Sequence, residues 1–591
     1  MLNRFFWVSC LLLALFAALA YRLIELGFFE RSFLLATAKK QHNVVIELEP
    51  KRGNVLDRGG KMFATTVKSP SIYAIPRLIS KKTKPQLVEE ISQILGLETS
   101  LVGERLSRDK AFVWLKRKVT DEEAESILAL GNPYISVQNE YKRFCPHSKE
   151  FAHVLGFCNI DNQGIEGLEL AYNSHLSGEK GWRHSKRDAL GREIPALEEK
   201  LIPPINGRDL VLHVDQFIQH VVERELDKAF TKWNAKGACA IIMDPSTGRI
   251  LAMANRPAFD ANSYQQSTIE SRRNRCLTDF YEPGSIFKVV TMAAALSEGK
   301  VKLDDTFFCE NGTWNVNAHR VIHDVHPYGR LTAPEVLIKS SNIGTVKIAK
   351  VVGEATLYRY IKMFGFGELT GIDIQGEVSG IVHPLKEWSK TSITSVPYGQ
   401  EVTATALQMV RALSVIANGG YLMKPEIVKE VQDEFGVVIK HGAPVVKKKI
   451  LDPKIASTLR DILVRVVEEG TGQSAKIKGI QVAGKTGTAQ KLNPEGGYSH
   501  SNFIGSFMGF APADNPLLSM VVMIDDPHPS YYGATVAAPV FKEVIQEALL
   551  HLGYVPPPRE EKEPPVSRPQ ETLKTPGNPA DVNAPNPVLH Q

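Results

Sequence analysis

The first apolar pattern in the chain is a run from Phe5 to Tyr21 that is broken only by one serine and one cysteine. A helix of that length measures about 26 Å, which is near the lower limit for crossing a bilayer. We therefore predict a cytoplasmic N-terminus and a transmembrane anchor over residues 1–25, with everything after it outside the membrane. A cleaved signal peptide is the alternative, because Ala18-Leu19-Ala20 resembles a cleavage site, but the run is longer than the apolar core of a usual signal.

Shorter patterns predict an N-terminal α+β platform domain over residues 26–205. Asn43–Leu48 has the composition of a strand, and residues 84–97 and 121–130 have helical spacing. We see no catalytic set in this region and interpret it as a folded spacer. Pro203-Pro204-Ile205-Asn206-Gly207 marks its end.

Residues 206–555 have the pattern of an α/β (α+β) domain in which helices cover one antiparallel sheet. Two strands are predicted early, in a hairpin around residues 239–253, and three late, around residues 479–525. Between them we predict a mostly helical region up to about residue 425. Helical spacing covers three segments: residues 215–233, the stretch after Gly284, and residues 536–552.

Composition excludes some functions without identifying one. Of the 591 residues, 43% are hydrophobic and 23% are charged, as in ordinary folded proteins. The net charge of +5 comes without a basic stripe, so nucleic acid is not an expected partner. The six cysteines show no Cys-x-x-Cys spacing, so neither a zinc site nor a disulfide framework is indicated. Residues 556–591 are rich in Pro, Glu, Lys and Asn, which predicts a disordered tail.

The pattern Ser-x-x-Lys occurs four times, and one copy has a context that suits chemistry. Ser285 and Lys288 follow a Pro-Gly turn and open an apolar helix, so we expect the lysine to be buried. Burial lowers the pKa of an amine, and a neutral amine can accept the proton of a serine hydroxyl. The copies at Ser107, Ser177 and Ser297 lie in polar segments or at a helix end. An ordinary helix N-cap is the alternative role for Ser285.

Two further motifs, each present once, supply partners for this serine. In Ser340-Ser341-Asn342 the first serine suits proton transfer to a leaving amine, and the amide suits a contact with a substrate carbonyl. Lys485-Thr486-Gly487-Thr488 is predicted at the end of a strand, where a sheet edge offers backbone N–H groups to an oxyanion. Its lysine and threonine hydroxyls suit a carboxylate. Alone, the two motifs would be read as a polar helix turn and a strand-end turn.

These three motifs resemble those of the penicillin-binding protein and serine β-lactamase superfamily. The likeness to class B penicillin-binding proteins covers roughly residues 40–550 and includes Arg52-Gly53-Asn54-Val55-Leu56-Asp57-Arg58, residues 164–169, residues 274–285, Tyr398-Gly399-Gln400 and residues 507–512. The approach to Ser285 and the Ala-Met-Ala-Asn strand at 252–255 look most like the septal, cell-division type. Gly59 stands where the family usually has Asn, a loop change that we expect to be tolerated.

The resemblance implies a peptidoglycan DD-transpeptidase with the penicillin-binding fold, a platform of the dimerisation type, and no metal or cofactor. Ser285 would attack the penultimate D-alanine carbonyl of a stem peptide, and Lys288 would accept its proton. The other implied roles are catalysis for Ser340, Asn342 and Lys485, and substrate or oxyanion binding for Thr486, Gly487 and Thr488. The oxyanion hole would consist of the backbone N–H groups of Ser285 and Thr488. β-Lactams would inhibit by forming an ester with Ser285.

The resemblance also implies a location and partners. We expect a single-pass protein of the inner membrane with its catalytic domain outside, acting with a membrane peptidoglycan polymerase and other division proteins. The alternatives are an elongation-type transpeptidase, a non-catalytic scaffold of the wall-synthesis complex, and a β-lactam sensor or hydrolase. The large platform and the division-type motifs disfavour the sensor or hydrolase.

Overall fold

The computed structural model describes residues 2–34, 43–187, 193–194, 200–318, 320–492 and 497–556. It divides into two units, Met1–Tyr554 and Val555–Gln591, and all the elements below belong to the first. The predicted disordered tail lies outside the described residues from residue 557 onward.

The N-terminal helix spans Leu2–Ile24 and continues through a π-helical turn, Glu25–Phe29. Its apolar residues are exposed, with relative accessibilities of 74% for Phe5 and 67% for Phe16. Within the described part of the chain, Asn3–Phe29 is the one helix whose length and composition suit a membrane span. Because large apolar patches of this kind favour a non-aqueous partner, the helix agrees with the predicted anchor.

Two sheets organise the N-terminal part of the chain. The smaller sheet pairs Gly181–Arg187 with Asn43–Leu48, Glu193–Ile194 and Lys200–Ile202. The larger has seven strands in the spatial order Val438–His441, Val428–Gln432, Asp209–Leu212, Val55–Leu56, Met62–Ala74 and Val113–Lys116, with Ile135–Phe144 also paired to Met62–Ala74. It therefore contains strands from both sides of the predicted boundary at residue 205.

Three helices cover the platform strands: Lys84–Leu95, Thr99–Ser107 and Asp121–Ala129. Their buried residues, such as Ile91, Val102 and Ile127, form one cluster with Ile72 and Leu115 of the strands. The first and third helices were predicted. The second was not, because its nine residues contain only three large apolar side chains.

Two of the family-like segments, residues 52–58 and 164–169, meet at a buried ion cluster. The Nε of Arg52 donates to Glu169 Oε2 at 2.7 Å, and the Nε of Arg143 donates to Glu169 Oε1 at 2.6 Å. The side chains of Arg52 and Glu169 are 2% and 1% exposed. Burial alone would raise the pKa of Glu169, but the two guanidiniums hold it below its usual value.

Replacing Glu169 with glutamine should destabilise the protein by about 3–5 kcal/mol, because two buried guanidiniums lose their carboxylate. The measurement is the midpoint of thermal unfolding of the full-length chain in detergent micelles. Glu166→Gln is the matched control, since Glu166 lies on the same segment with a 45% exposed side chain 3.9 Å from Arg272. Equal midpoints for the two variants would contradict a stabilising role for the cluster.

The second half of the chain is built on a five-stranded antiparallel sheet. Its strands are β1 (Gly237–Met243), β2 (Ile250–Arg256), β3 (Ala483–Leu492), β4 (Tyr498–Ala511) and β5 (Leu518–Asp525), in the spatial order β2-β1-β5-β4-β3. This confirms the prediction of one antiparallel sheet with two strands early and three late. β3 lies at an edge and carries the Lys-Thr-Gly motif.

Helices pack on both faces of this sheet. On one face lie α1 (Gln216–Lys232) and α4 (Ala538–His551). On the other face, helix Ala406–Ala417 packs on β1, β4 and β5, in a core that also contains α2 (Lys288–Ser297) and α3 (Asn342–Val352). Side chains alternate along a strand, so Ala240 and Ile242 of β1 pack in one core with α1 and α4. Cys239 and Ile241 face the other core, which contains α2 and α3.

The region between α2 and residue 425 is less helical than predicted. Short strands lie at Thr306–Phe308, Thr313–Asn317, Arg320–His323 and Arg330–Thr332. Runs of three to five residues are too short to show a strand period in the sequence. Other regular elements of this region include helices Ala333–Ile338 and Glu354–Met363 and the strand Tyr421–Met423, which pairs with the later strand Val446–Lys449. Helix Pro453–Glu468 follows before β3.

Candidate active site

Ser285 lies in a single turn of 3-10 helix, Gly284–Phe287, that runs directly into α2. The turn is possible because Gly284 takes a left-handed conformation, with φ of +59°. Residues three apart share a face in such a turn, so Ser285 and Lys288 point the same way. Ser285 is half-buried, whereas Lys288 is only 1% exposed.

The amine of Lys288 is held in the protein interior by Ser340. Its Nζ donates to the backbone oxygen of Ser340 at 2.5 Å and to the Oγ of Ser340 at 3.2 Å. Burial lowers the pKa of Lys288 to about 7, although the negative charge of Asp324 opposes this shift. A large fraction of this amine is therefore neutral near pH 7 and able to accept a proton.

Ser340 links two buried lysines. Its Oγ also accepts a hydrogen bond from Lys485 Nζ at 2.9 Å. Ser340 has φ of +60°, a conformation that is uncommon for residues other than glycine and is concentrated at functional sites. Burial, and then the positive charge of Lys288, lower the pKa of Lys485.

Asp324, a residue that no sequence motif predicted, organises the Ser-Ser-Asn motif. Its Oδ1 accepts from the backbone N–H of Asn342 at 2.5 Å and of Ile343 at 3.1 Å, and its Oδ2 accepts from Ser341 Oγ at 2.5 Å. A carboxylate at the N-terminus of α3 is favourable because the helix dipole is positive there. Asp324 lies directly after an unpredicted short strand, and no motif spacing points to it.

The amide of Asn342 is half-buried at the start of α3. Its Nδ2 donates to the backbone oxygen of His323 at 2.8 Å, which fixes the orientation of the side chain. An amide whose orientation is fixed in this way is prepared to bind a substrate carbonyl.

The Lys-Thr-Gly motif lies against the serine turn. A Cβ added to Gly487 would come within 3.0 Å of Ile286 and 2.4 Å of Ser506 Oγ, so only glycine fits there. A Cβ added to Gly284 would come within 3.2 Å of the Thr488 carbonyl oxygen. The serine turn therefore packs directly on the Lys-Thr-Gly strand, so Ser285 and Thr488 lie on adjoining segments of backbone.

The threonine hydroxyls and Lys485 differ from the simplest expectation for a carboxylate site. Lys485 is fully buried with its amine on Ser340, and its Nζ also donates to the Thr486 backbone oxygen at 3.0 Å. Thr486 Oγ1 is 2.8 Å from Thr471 Oγ1, and Thr488 Oγ1 accepts from the Gly533 N–H at 3.2 Å. Thr488 is the more exposed of the two threonines, which makes it the better placed for a substrate carboxylate.

The Tyr398-Gly399 pair supports the serine turn from the other side. Gly284 N–H donates to the Gly399 carbonyl oxygen at 3.1 Å. Gly399 has φ of +84°, and a Cβ there would lie 2.4 Å from the Gly284 oxygen. The Tyr398 hydroxyl in turn accepts from the guanidinium of Arg320 at 2.8 Å. This explains why a motif far along the chain accompanies the serine.

Of the eight site residues that the sequence suggested, Lys288, Ser340 and Lys485 are joined by hydrogen bonds. Asn342 begins α3 two residues after Ser340, and the turn of Ser285 contacts the strand that contains Gly487 and Thr488. The hydroxyls of Thr486 and Thr488 bind Thr471 and Gly533. Within the described residues, no group of three or more His, Cys, Asp or Glu side chains is arranged to hold a metal ion. The arrangement is suited to nucleophilic acyl transfer.

Known protein families match both halves of the chain. Residues 238–546, just over half of the sequence, match the penicillin binding protein transpeptidase domain, and residues 47–212 match the penicillin-binding protein dimerisation domain.

Individual relatives match over most of their length. Stage V sporulation protein D of Bacillus subtilis is 37% identical over 88% of this chain and 82% of its own. Peptidoglycan D,D-transpeptidase FtsI of Escherichia coli is 31% identical over 93% of this chain and 91% of its own. The crystal structure of penicillin binding protein 3 from Mycobacterium tuberculosis with aztreonam has a TM-score of 0.67 and 25% identity, and the match covers 87% of this chain and 98% of that one.

Proposed function

Since this chain belongs to the class B penicillin-binding proteins, we propose that it cross-links peptidoglycan stem peptides through an acyl-enzyme on Ser285. The observation that carries the proposal is that Ser340 joins the buried amines of Lys288 and Lys485, and that Lys288 directly follows the turn that holds Ser285. The chain is a serine-type D-Ala-D-Ala transpeptidase that β-lactams inhibit.

The reaction has two halves. Ser285 Oγ bonds to the penultimate D-alanine carbonyl carbon while its proton passes to the neutral amine of Lys288. The peptide C–N bond breaks, and the terminal D-alanine leaves with a proton relayed through Ser340. The amine of a second stem peptide then attacks the ester, which restores the Ser285 hydroxyl and forms the cross-link.

Binding groups surround the attacked carbonyl. The N–H groups of Ser285 and Thr488 stabilise the oxyanion, a contribution whose loss typically costs about a hundredfold or more in rate. Asn342 orients the stem peptide. Thr488, the more exposed threonine, takes the terminal carboxylate at the edge of β3 beside Thr486 and Gly487, while Lys485 keeps its amine on Ser340.

The pH profile of acylation follows from the lowered pKa of Lys288. Below pH 7 the amine is protonated and cannot accept the serine proton, so the rate constant should rise about tenfold per pH unit as the pH increases. Above about pH 7 it should level off. The measurement is the second-order rate of fluorescent penicillin labelling from pH 5 to 9 in detergent micelles. A flat profile, or one that falls as the pH rises, would remove Lys288 as the base.

The proposed location and partners follow from the anchor and the family. The N-terminal helix would hold the chain in the cytoplasmic membrane with the catalytic part outside. The platform would contact a membrane peptidoglycan polymerase and other division proteins. If a polymerase still co-purified after deletion of residues 1–200, this docking arrangement would be wrong.

Septal wall synthesis is the role that the FtsI relatives support. The 37% identity with Stage V sporulation protein D favours a second candidate, transpeptidation during sporulation. Imaging the tagged protein separates the two, because the first predicts a band at every division site and the second predicts a signal confined to sporulating cells.

A donor and acceptor assay tests the activity itself. The full-length chain in detergent is given a thioester analogue of a stem peptide and a D-amino acid as the amine. We expect free thiol and a new amide in equal amounts. Hydrolysis alone, or many turnovers of a chromogenic β-lactam per chain, would instead indicate a hydrolase.

A further inference from the structure

Glu282 lies three residues before Ser285 and carries a buried carboxyl group that the proposed mechanism does not use. The residue is only 8% exposed. Its Oε1 accepts from the Glu401 N–H at 2.8 Å and from the Tyr498 hydroxyl at 3.1 Å. Among the described residues, the groups that act on this carboxyl are Glu401 and Tyr498, and neither is a cation. One carboxyl oxygen therefore connects three separate segments of the chain.

The first connection is to the segment that follows Tyr398. Residues 281–284 and 399–404 lie side by side and are joined by three backbone hydrogen bonds of 2.9–3.1 Å. Glu401 lies within this contact and has φ of +58°, a left-handed conformation that is uncommon for a residue with a side chain. Glu282 accepts from the N–H of this residue and so fixes it beside the serine turn.

The second connection is to the β3–β4 hairpin. Tyr498 is the first residue of β4, and it pairs with Leu492, the last residue of β3. β3 also carries the Lys-Thr-Gly motif, where a Cβ added to Gly487 would lie 3.4 Å from the Pro283 oxygen. The serine turn therefore meets the hairpin at two places, by direct packing at Gly487 and through the hydrogen bond between Glu282 and Tyr498.

The backbone between Glu282 and Ser285 is short and held in place. The ring of Pro283 fixes its φ, and the N–H of Gly284 donates to the Gly399 oxygen at 3.1 Å. Because neither intervening residue is free to adjust, a displacement of Glu282 would move the Ser285 hydroxyl.

A buried carboxylate without a cation is a costly way to stabilise a fold. Burial raises the pKa of Glu282, although its two hydrogen-bond donors oppose this shift. Burial and the charge of Glu282 raise the pKa of Tyr498, so its hydroxyl keeps its proton and can donate. An apolar side chain at residue 282 would avoid the cost of burying a charge, and such local conflicts are concentrated at functional sites.

We propose that Glu282 is a positioning residue for acylation, an inference that rests on the proposed transpeptidase function. Through the Tyr498 hydroxyl and the Glu401 N–H, it holds the serine turn against β3. The Ser285 hydroxyl then meets a carbonyl that is bound along the Lys-Thr-Gly strand. Glu282 itself does not touch the substrate. A misplacement of about 1 Å at a reacting group can lower a rate about a hundredfold.

Rapid mixing of the full-length chain in detergent with the thioester analogue separates placement from binding. A series of thioester concentrations gives the maximal rate constant of acylation and the half-saturating concentration. Tyr498→Phe removes only the hydroxyl, so it should lower the maximal rate constant about tenfold and leave the half-saturating concentration unchanged. Tyr421→Phe is the matched control, because Tyr421 is exposed on a short strand outside the site, and it should equal the parent.

Variants of Glu282 test the same hydrogen bonds from the other side. Glu282→Gln keeps an acceptor oxygen and should retain the maximal rate constant within about threefold, whereas Glu282→Met should lower it about a hundredfold. Adding Tyr498→Phe to Glu282→Met should cause no further loss, because both changes remove the same hydrogen bond. The thermal unfolding midpoint and the fraction of chains labelled by penicillin check that each variant is folded.

Three results would overturn the proposal. They are a parent rate constant in Tyr498→Phe, a loss in Glu282→Gln as large as that in Glu282→Met, and a further loss in the double variant. A residue with only a structural role would lower the midpoint without changing the maximal rate constant of the labelled chains. If Glu282→Met does not fold, Tyr498→Phe and Glu282→Gln still decide. Acylation of the parent by the thioester tests the transpeptidase assignment separately.

Discussion

Replacing Ser285 with alanine should abolish labelling by fluorescent penicillin, because no ester can form without the Oγ nucleophile. The rate of acylation should fall by at least roughly 10⁴-fold, to below detection. Because Ser285 is half-buried and the substitution changes its volume little, we expect the fold to stay intact. The midpoint of thermal unfolding checks this. The same variant should give no amide product in the donor and acceptor assay.

Ser107→Ala is the matched control for this result. Ser107 and Lys110 form another Ser-x-x-Lys pattern, but Ser107 is exposed at the end of a platform helix, where its Oγ donates to the Glu104 backbone oxygen. Labelling of this variant should equal that of the parent. Residual labelling of Ser285→Ala would mean that a different serine is the nucleophile.

Replacing Lys288 with methionine should lower the acylation rate about 10²–10⁴-fold, the contribution typical of a general base. Methionine fills a similar volume and removes a buried amine, so the thermal midpoint should change little. Lys288→Arg should lose a comparable factor because a guanidinium stays protonated. In both variants, the rise of the rate with pH below 7 should disappear.

Lys339→Met controls for the loss of a positive charge near the site. Lys339 is exposed and lies directly before Ser340, so its replacement should leave the rate and the pH profile unchanged. If Lys288→Arg kept the parent rate within tenfold, Lys288 would position Ser340 rather than accept the serine proton.

The sheet and the serine turn were predictable from local pattern. The strands of the hairpin at 239–253 and of residues 483–525 are long enough to show strand character, and the Pro-Gly turn before Ser285 has a clear backbone signature. Burial of Lys288 followed from the apolar residues of α2. These features depend on neighbouring residues, which the sequence displays directly.

Other features depend on contacts between distant residues, and these could not be predicted. Asp324 caps α3 only because a short hairpin returns to it, and no residue pattern in the sequence indicates the left-handed conformation of Ser340. The family-like segments around Arg52 and Glu169 were recognised, but their pairing 117 residues apart was not. We predicted that Lys485 and the threonine hydroxyls together hold a carboxylate. In the structure Lys485 is buried on Ser340, Thr486 contacts Thr471, and Thr488 is partly exposed, so the three side chains have different environments.

Acylation of Ser285 can be measured directly by mass spectrometry of the penicillin-treated full-length chain. We expect a single increase in mass by one penicillin per chain, located after proteolysis on the peptide that contains Ser285, and stable over many minutes. An adduct on any other residue, or no stable adduct despite consumption of the β-lactam, would contradict it.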